Sequence, residues 1–407
     1  VPWPAVEADK GENVPTPTGV GAEELRRANL RAILQTVHTH GPTTRAVLTK
    51  QLGLNRSTIG ALTGELQSLG LVTEQTPVVG GRGRPSNLVV PSTENVVVAV
   101  DVGVDRIAVA MVGLGGEVLD RRTRGHHRGK HDVAHVVDSV AQMIEETLSG
   151  SAHSRCLGVG VAVPGAVRAD DGLVRFAPNL GWVDEPFTEL LTKRLDVPVS
   201  TGNDANLGVL AEHIRGAAVG FSEVAYLSAS VGIGGGFLVG GRPLTGTNGY
   251  AGEVGHMQVD SEGPVCRCGA VGCWEMKVGE NVLLQHAGRL SGGGPPAVAE
   301  VIAAAQGGDS RAAAAVEEVA EWCGVGIRAI VNLFNPDVVV LGGCLAQVWR
   351  AAEQQVDVAM HRSALVYQRA DTVIRSAGLG DDSPLIGAAE LAFEPVLDHP
   401  QAVPQAG

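Results

Sequence analysis

His256, Cys266, Cys268 and Cys273 gather one imidazole and three thiols into 18 residues of sequence. This is the donor set of a closed, four-coordinate zinc site. Gly263, Gly269 and Gly272 give the intervening backbone the freedom to turn tightly around a small ion. Disulfide pairing is the alternative, but three clustered cysteines leave a remainder, and the chain holds only six in all. With four protein ligands no position stays open for a catalytic water, so one zinc per chain in a structural role is expected. Glu253 and Glu275 stand at the two ends of the same loop. Carboxylates held beside a rigid metal centre can accept hydrogen bonds from the hydroxyls of a polar ligand.

A second polar cluster is Thr201-Gly202-Asn203-Asp204-Ala205-Asn206. It follows a strand expected over residues 197–200, so Asn203 and Asp204 can open a helix and present their side chains to a cleft. An ordinary helix cap uses the same residue types, and that plainer reading stands beside the ligand-binding one. His126, His127, His131 and His135 are crowded too, but Arg128 and Lys130 lie among them, which reads as a solvated basic loop rather than a second metal site. Cys156, Cys323 and Cys344 stand alone in apolar surroundings, as core thiols do.

The charge that surrounds these groups is unevenly divided. Residues 22–90 carry eight Lys and Arg against four acids, a net +4, while residues 91–407 carry −15. A basic unit on an acidic body raises nucleic acid as a partner for the first part alone. Residues 1–21, with Pro2, Pro4, Pro15 and Pro17 and little apolar content, read as a disordered tail. From Ala22 a helical period begins, with Leu25, Ala28, Leu30, Ile33, Leu34 and Val37 on one side and Gly41-Pro42 as the stop. A short helix capped by Thr43 or Thr44 follows, then the turn Leu52-Gly53-Leu54-Asn55. A third helix carries Ile59, Leu62, Leu66 and Leu69 on its apolar face.

Two helices joined this way form a helix-turn-helix, whose second helix would enter the major groove by Arg56, Ser57 and Thr58. Strands expected at Leu71–Thr73 and Asn87–Val90 would make a wing. Its tip, Gly80-Gly81-Arg82-Gly83-Arg84-Pro85, would bring Arg82 and Arg84 to a phosphate backbone or a narrow minor groove. The reading is a separable DNA-binding unit; a protein-docking helical domain is the alternative.

At 407 residues, 44% hydrophobic and 18% charged, the chain is globular and exceeds a single core. No apolar run approaches the ~20 residues that span a bilayer. No basic stretch followed by an apolar one opens the sequence, and thiolate ligands suit a reducing compartment, so the expectation is cytoplasmic with no membrane partner. Val96–Val118 and Glu223–Leu244 look like distant copies of one strand–turn–strand pattern. Each is followed by a helix and a strand, over 134–148 and 156–163 in the first half and 312–334 and 338–341 in the second. Periodicity alone gives an α/β fold with parallel strands. A last helix is expected from Ser383, as its cap, with Pro384 in the first turn, to Leu391, packed back on the first half.

The strings Glu253-Val-Gly-His256 and Cys266-x-Cys268-Gly-x-x-Gly-Cys273-x-Glu275, together with the Asn203-Asp204 segment, resemble the repressor–ORF–kinase (ROK) group of sugar kinases and sugar-responsive repressors. The resemblance spans about residues 96–395 and takes in Val163-Pro164-Gly165 and Ala177-Pro178-Asn179-Leu180-Gly181-Trp182. It implies a two-lobed, actin-like body of duplicated RNase H-like halves. It also implies a winged helix ahead of that body in the repressor branch, and a sugar cleft lined by Asn203, Asp204, Glu253, His256, Glu275, Gly165 and Asn179. The implied domains are 22–90 for the winged helix, a linker at 91–95, a first lobe of 96–205 plus 380–395, and a second lobe of 206–379 with the zinc loop at 253–275.

In kinases of the group the residue matching Asp204 is the general base, and the two hairpin turns read Asp-x-Gly-Gly-Thr and Gly-Thr-Gly-x-Gly. Here they read Asp101-Val-Gly103-Val104-Asp105 and Ser230-Val231-Gly232-Ile233-Gly234. Both phosphate-binding threonines are missing, and an added acid repels a triphosphate. The expectation is therefore a sugar-responsive regulator of the repressor type that binds double-stranded operator DNA as a homodimer or homotetramer. An ATP-dependent sugar kinase with a DNA-binding arm is the alternative.

Overall fold

The computed structural model describes residues 21–76, 86–150, 155–362 and 372–403. Helix α1 (Ala22–His40) ends at Gly41, whose positive φ of 73° breaks the helix. Thr44 caps α2 (Arg45–Leu52) by accepting the Val47 amide, and Gly53 closes it in the left-handed conformation. Asn55 then caps α3 (Arg56–Ser68) by accepting the Thr58 amide. Each boundary is set by a local side chain or glycine suited to it. Strands β1 (Thr43–Thr44), β2 (Val72–Gln75) and β3 (Leu88–Pro91) pair antiparallel in the order β1-β3-β2. The two longer strands sit about a residue further along than the sequence pattern placed them. Arg82 and Arg84, at the expected wing tip, lie outside the described residues.

Two five-stranded sheets follow, built to the same plan. The first contains β4 (Asn95–Val102), β5 (Arg106–Gly113), β6 (Val118–Gly125), β7 (Arg155–Val163) and β11 (Val199–Asn203), in the order β6-β5-β4-β7-β11. Between β7 and β11 come a small sheet of β8 (Ala166–Val167), β9 (Val174–Ala177) and β10 (Trp182–Glu185), and helix α5 (Phe187–Leu195). Helix α4 (Val133–Ser149) lies between β6 and β7, and α6 (Asp204–Arg215) follows β11. The second sheet contains β12 (Val224–Ala229), β13 (Ile233–Val239), β14 (Arg242–Pro243), β15 (Val338–Gly342) and β16 (Val373–Ser376), in the order β14-β13-β12-β15-β16.

In each sheet an antiparallel meander of three strands is extended by two parallel ones. This repetition of topology is what the two sequence copies foretold. Every residue of β4 is buried, because helices cover both faces of the sheet. The second half is completed by α7 (Glu280–His286), α8 (Gly294–Gln306), α9 (Ser310–Phe334), α10 (Gly343–Ala351) and α11 (Glu353–His361). Among the described residues no helix is long and apolar enough to cross a membrane.

The last helix, α12 (Ser383–Asp398), runs beyond the expected end at Leu391. Phe393 and Val396 carry it onward because they are buried against the N-terminal unit. Ser383 does not cap it. Its hydroxyl donates to Glu212 Oε1 at 2.7 Å and lies 2.9 Å from the Gly380 carbonyl. Gly387 lets α12 press against α6: a Cβ there would lie 2.0 Å from the Leu207 carbonyl oxygen. The N-terminal unit is not a separate bead either. Leu30, Ile33, Leu34 and Val37 of α1 share one buried cluster with Val97 and Ala99 of β4 and with Ala388 and Phe393 of α12.

Candidate functional site

Helix α6 begins where β11 ends, and its first residue faces the second sheet: a Cβ on Gly234 of β13 would lie 3.8 Å from Asp204 Oδ1. Asn203 is its N-cap: Oδ1 accepts the amides of Ala205 and Asn206, both at 3.0 Å. Its Nδ2 donates to the Gly165 carbonyl at 2.9 Å and to Asp204 Oδ1 at 3.1 Å. Gly165 has φ 134°, and a Cβ there would lie 2.4 Å from the Phe176 carbonyl oxygen, so the close approach requires glycine. The plain reading of Asn203 as a cap is therefore correct, and the same side chain also fixes the position of Asp204.

The Asp204 carboxyl is pushed up to about 7, first by burial and then by the charges of Asp101 and Glu253. Asp101, on β4, is pushed up to about 6 by burial, against the pull of Arg106 at 3.4 Å. Glu253 is also raised, by burial first, with His256 opposing and Glu275 adding to the rise. Three carboxyls thus share one region, each less acidic than usual because burial disfavours its charged form.

The metal-type residues come together as the spacing implied. One ligand atom from each of His256, Cys266, Cys268 and Cys273 lies within 4.8 Å of all the others. Cys266 Sγ is 3.7 Å from His256 Nδ1, and Cys268 Sγ is 3.6 Å from Cys273 Sγ. Tetrahedral ligands about 2.3 Å from an ion stand about 3.7 Å apart, so the donor set fits a metal. A disulfide needs sulfurs at about 2.05 Å, and all six cysteines are free thiols. The loop is folded back on itself by isolated bridges between Gln258 and Cys273 and between Val265 and Val271. His256 turns Nδ1 toward the sulfurs and Nε2 toward Glu253 Oε2, 3.8 Å away. Glu275 Oε1 accepts from Cys266 Sγ at 3.0 Å and lies 3.6 Å from His256 Nδ1.

Asn179 Oδ1 accepts a hydrogen bond from Arg267 Nη1 at 2.8 Å. Arg267, inside the Cys-Arg-Cys string, escaped the sequence reading, and it ties the cysteine loop to the first half. The histidine-rich loop also differs from expectation. Rather than being solvated throughout, it sends Arg128 to Asp105 at 2.8 Å and to Glu280 at 3.0 Å, joining the two halves. His126 and His131 stack with ring centroids 4.2 Å apart, and His126 Nε2 is 2.9 Å from the Gly103 carbonyl. At the other end of the molecule, Arg56 and Ser57 are exposed on the first turn of α3 and Thr58 is half-buried. The Ser57 hydroxyl donates to Asn55 Oδ1 at 2.7 Å, so it reinforces the cap, while Arg56 has no ion pair among the described residues.

Residues 97–394 match the ROK family. The xylose repressor of Bacillus spizizenii is 29% identical over 385 residues, covering 92% of this chain and 97% of the repressor. The glucokinase of Halalkalibacterium halodurans is 30% identical over 310 residues, covering 72% of this chain and 94% of the kinase. The crystal structure of a ROK family transcriptional regulator, a homologue of the E. coli MLC protein, is similar with a TM-score of 0.77 at 24% identity, over 92% of this chain and 97% of that one. That likeness is one of fold, and its coverage takes in the N-terminal helical region. With most of its length matched as a single unit, the chain belongs to the ROK family.

Proposed function

We propose that this protein is a sugar-responsive transcriptional repressor and not an enzyme. One observation carries the reading: the similarity to a xylose repressor extends over 92% of the chain, against 72% for a glucokinase. The first three helices and the β1-β3-β2 sheet serve as a winged helix-turn-helix. Arg56, with Ser57 and Thr58 beside it, meets base edges in the major groove, and Arg82 and Arg84 contact phosphate or the minor groove. The exposed start of α3 and the basic balance of residues 22–90 support this.

The effector is a sugar bound by Asn203, Asp204, Glu253, His256 and Glu275, with Gly165 and Asn179 on the facing wall. Clustered acceptors on fixed elements suit a ligand made of hydroxyls. His256, Cys266, Cys268 and Cys273 would hold one structural zinc, which supplies rigidity to the loop carrying Glu253 and Glu275. Val104 and Asp105 stand where a kinase of the group keeps glycine and threonine for phosphate, and Asp105 is paired with Arg128 from the loop after β6. The protein would act in the cytoplasm as a homodimer or homotetramer on a two-fold operator.

The test is selection of duplexes from a random pool by the full-length protein. Fluorescence anisotropy then follows, with D-xylose, D-glucose and other aldoses added singly. A recovered duplex whose affinity changes with one sugar supports the reading. Failure to recover any duplex counts against it.

A further inference from the structure

The geometry points to Arg215 as the positioning residue that couples the cleft to the DNA-binding helices, acting with Glu390 and His38 as a buried joint. The inference rests on the regulatory reading above and names the path its signal takes. Helix α6 starts with Asn203 and Asp204 in the cleft and ends with Arg215. At 1.5 Å per residue this is a helix of about 18 Å, and its sequence (Asp204–Arg215) contains no proline.

At its far end the guanidinium is fully engaged. Nε donates to Glu390 Oε1 at 2.6 Å, and Nη1 donates to the Gly115 carbonyl at 2.8 Å. Both terminal nitrogens also reach the His38 carbonyl near the end of α1, at 3.4 and 3.3 Å. The His38 ring, 1% exposed, lies between the same groups. Its Nδ1 accepts the Gly115 amide at 3.1 Å, its Nε2 is 2.8 Å from Glu390 Oε2, and its ring meets that of Phe393 in a T-shaped contact with centroids 5.0 Å apart. Four elements therefore meet at one charge: α1 of the N-terminal unit, the β5–β6 turn, α6 from the cleft, and α12.

A second brace keeps α6 and α12 moving together. Glu212, one turn before Arg215 and wholly buried, accepts the amides of Ala217, Gly378 and Leu379 at 2.7, 2.9 and 2.9 Å and the Ser383 hydroxyl at 2.7 Å. A guanidinium only 14% exposed and paired with a buried acid has little slack, because pulling it from its acceptors would strand Glu390 without a partner. A shift of α6 at its N-terminus must then move His38 with it or break the joint as a unit. Such all-or-none rearrangement is how packed interfaces carry a signal. Spatial continuity alone is not proof of coupling, so the test measures coupling itself.

The experiment uses the full-length protein, the duplex recovered by selection, and whichever aldose changed wild-type affinity. Operator affinity is measured with and without that aldose, and aldose affinity is measured separately by calorimetry. The variants are Arg215→Lys, which keeps the charge but loses the fork, and the double variant Arg215→Met/Glu390→Met, which replaces both buried charges by apolar groups of similar size. The second guards against a folding failure, since swapping a whole buried pair is tolerated far better than stranding one partner. A typical allosteric effect is roughly 5–150-fold.

The inference expects that ratio to fall below about twofold in the double variant while aldose affinity and aldose-free operator affinity stay within about threefold of wild type. Arg215→Lys should lie between. A folded double variant with an undiminished ratio overturns the joint and leaves the regulatory reading intact. A wild type that responds to no aldose removes both.

Discussion

Asp204→Asn should make the protein more stable at alkaline pH while abolishing its response to sugar. Asp204 holds its proton to about 7 in the fold, whereas the unfolded chain releases it near its ordinary value of 3.8. Between those values the folded state binds more protons than the unfolded one. Stability must therefore fall as pH rises from about 4 to about 7, and flatten above. Each pH unit across that interval is worth about 1.4 kcal/mol, so its full width sets an upper bound of about 4 kcal/mol against the ionised fold. Asp204 is half-buried rather than sealed off, and Asp101 shares the field. A measurable gain of about 1–3 kcal/mol is therefore expected for the neutral amide.

The substituted side chain keeps an oxygen for the Ala205 amide, which Asp204 Oδ1 accepts at 2.8 Å. Steric loss is accordingly small. Chemical unfolding of both proteins at intervals from pH 5 to pH 8 isolates the effect, because the difference between two slopes cancels the other titrating groups. Asp101, raised to about 6, leaves a residual decline in both. If the two proteins lose stability in parallel across this range, the carboxyl is not held neutral and the reasoning fails.

Other outcomes follow from the same geometry. Sugar affinity should rise with pH through about 7, up to tenfold per pH unit below that value, because hydroxyl donors favour the ionised Asp204; calorimetry at pH 6, 7 and 8 reads this, and a flat profile removes Asp204 as an acceptor. Protein purified without chelator should contain one zinc per chain, and Cys268→Ser should lower both the zinc content and the midpoint of thermal unfolding; mass spectrometry finding no zinc would discard the metal reading. Arg56→Ala should weaken operator binding by about 1–3 kcal/mol and relax sequence choice at one position, which selection repeated with the variant would reveal. A coupled assay should detect no sugar-dependent ADP release, and robust release that disappears in Asp204→Ala would make the protein a kinase as well.

What the sequence made legible was local. Thr44, Asn55 and Asn203 each announce a helix start because the capping oxygen and the amide it accepts are two or three residues apart. The four metal-type ligands lie within 18 residues, so their spacing nearly encodes their geometry. What escaped was set by contacts distant in sequence. His38 and Glu390 are 352 residues apart, Arg128 and Glu280 are 152 apart, and Asn179 and Arg267 are 88 apart. An arginine in a loop gives no sign of which acid it will meet. Strand β6 was missed for another reason. Its sequence, Val-Leu-Asp-Arg-Arg-Thr-Arg-Gly, is mostly exposed at a sheet edge, where charged residues guard against unwanted pairing and hide the apolar signal. Ser383 was misread because Glu212 competes for its hydroxyl, and only the folded chain brings that rival near.

The same long-range contacts decide how the two halves are held to one another. In a phosphoryl-transfer enzyme, nucleotide bound between the two halves would hold them together at the hairpin turns. Here Asp105 beside the first turn is joined through Arg128 to Glu280 at the start of α7, so protein side chains bridge that side of the cleft. Glu280 in turn accepts the Gly294 amide at 3.1 Å, anchoring the bridge to the start of α8. The other bridge, Asn179 to Arg267, spans the side where the metal-type loop meets the first half. One link is ionic and held by a buried acid, since the Glu280 side chain is 4% exposed. The other is a single hydrogen bond from the exposed Arg267 guanidinium to half-buried Asn179, where solvent screens the charge. The bridge through Arg128 is therefore the firmer of the two. A sugar bound as proposed by Asp204, Glu253 and Glu275 would act beside that second link, and a higher affinity for one arrangement of the halves would favour it over another.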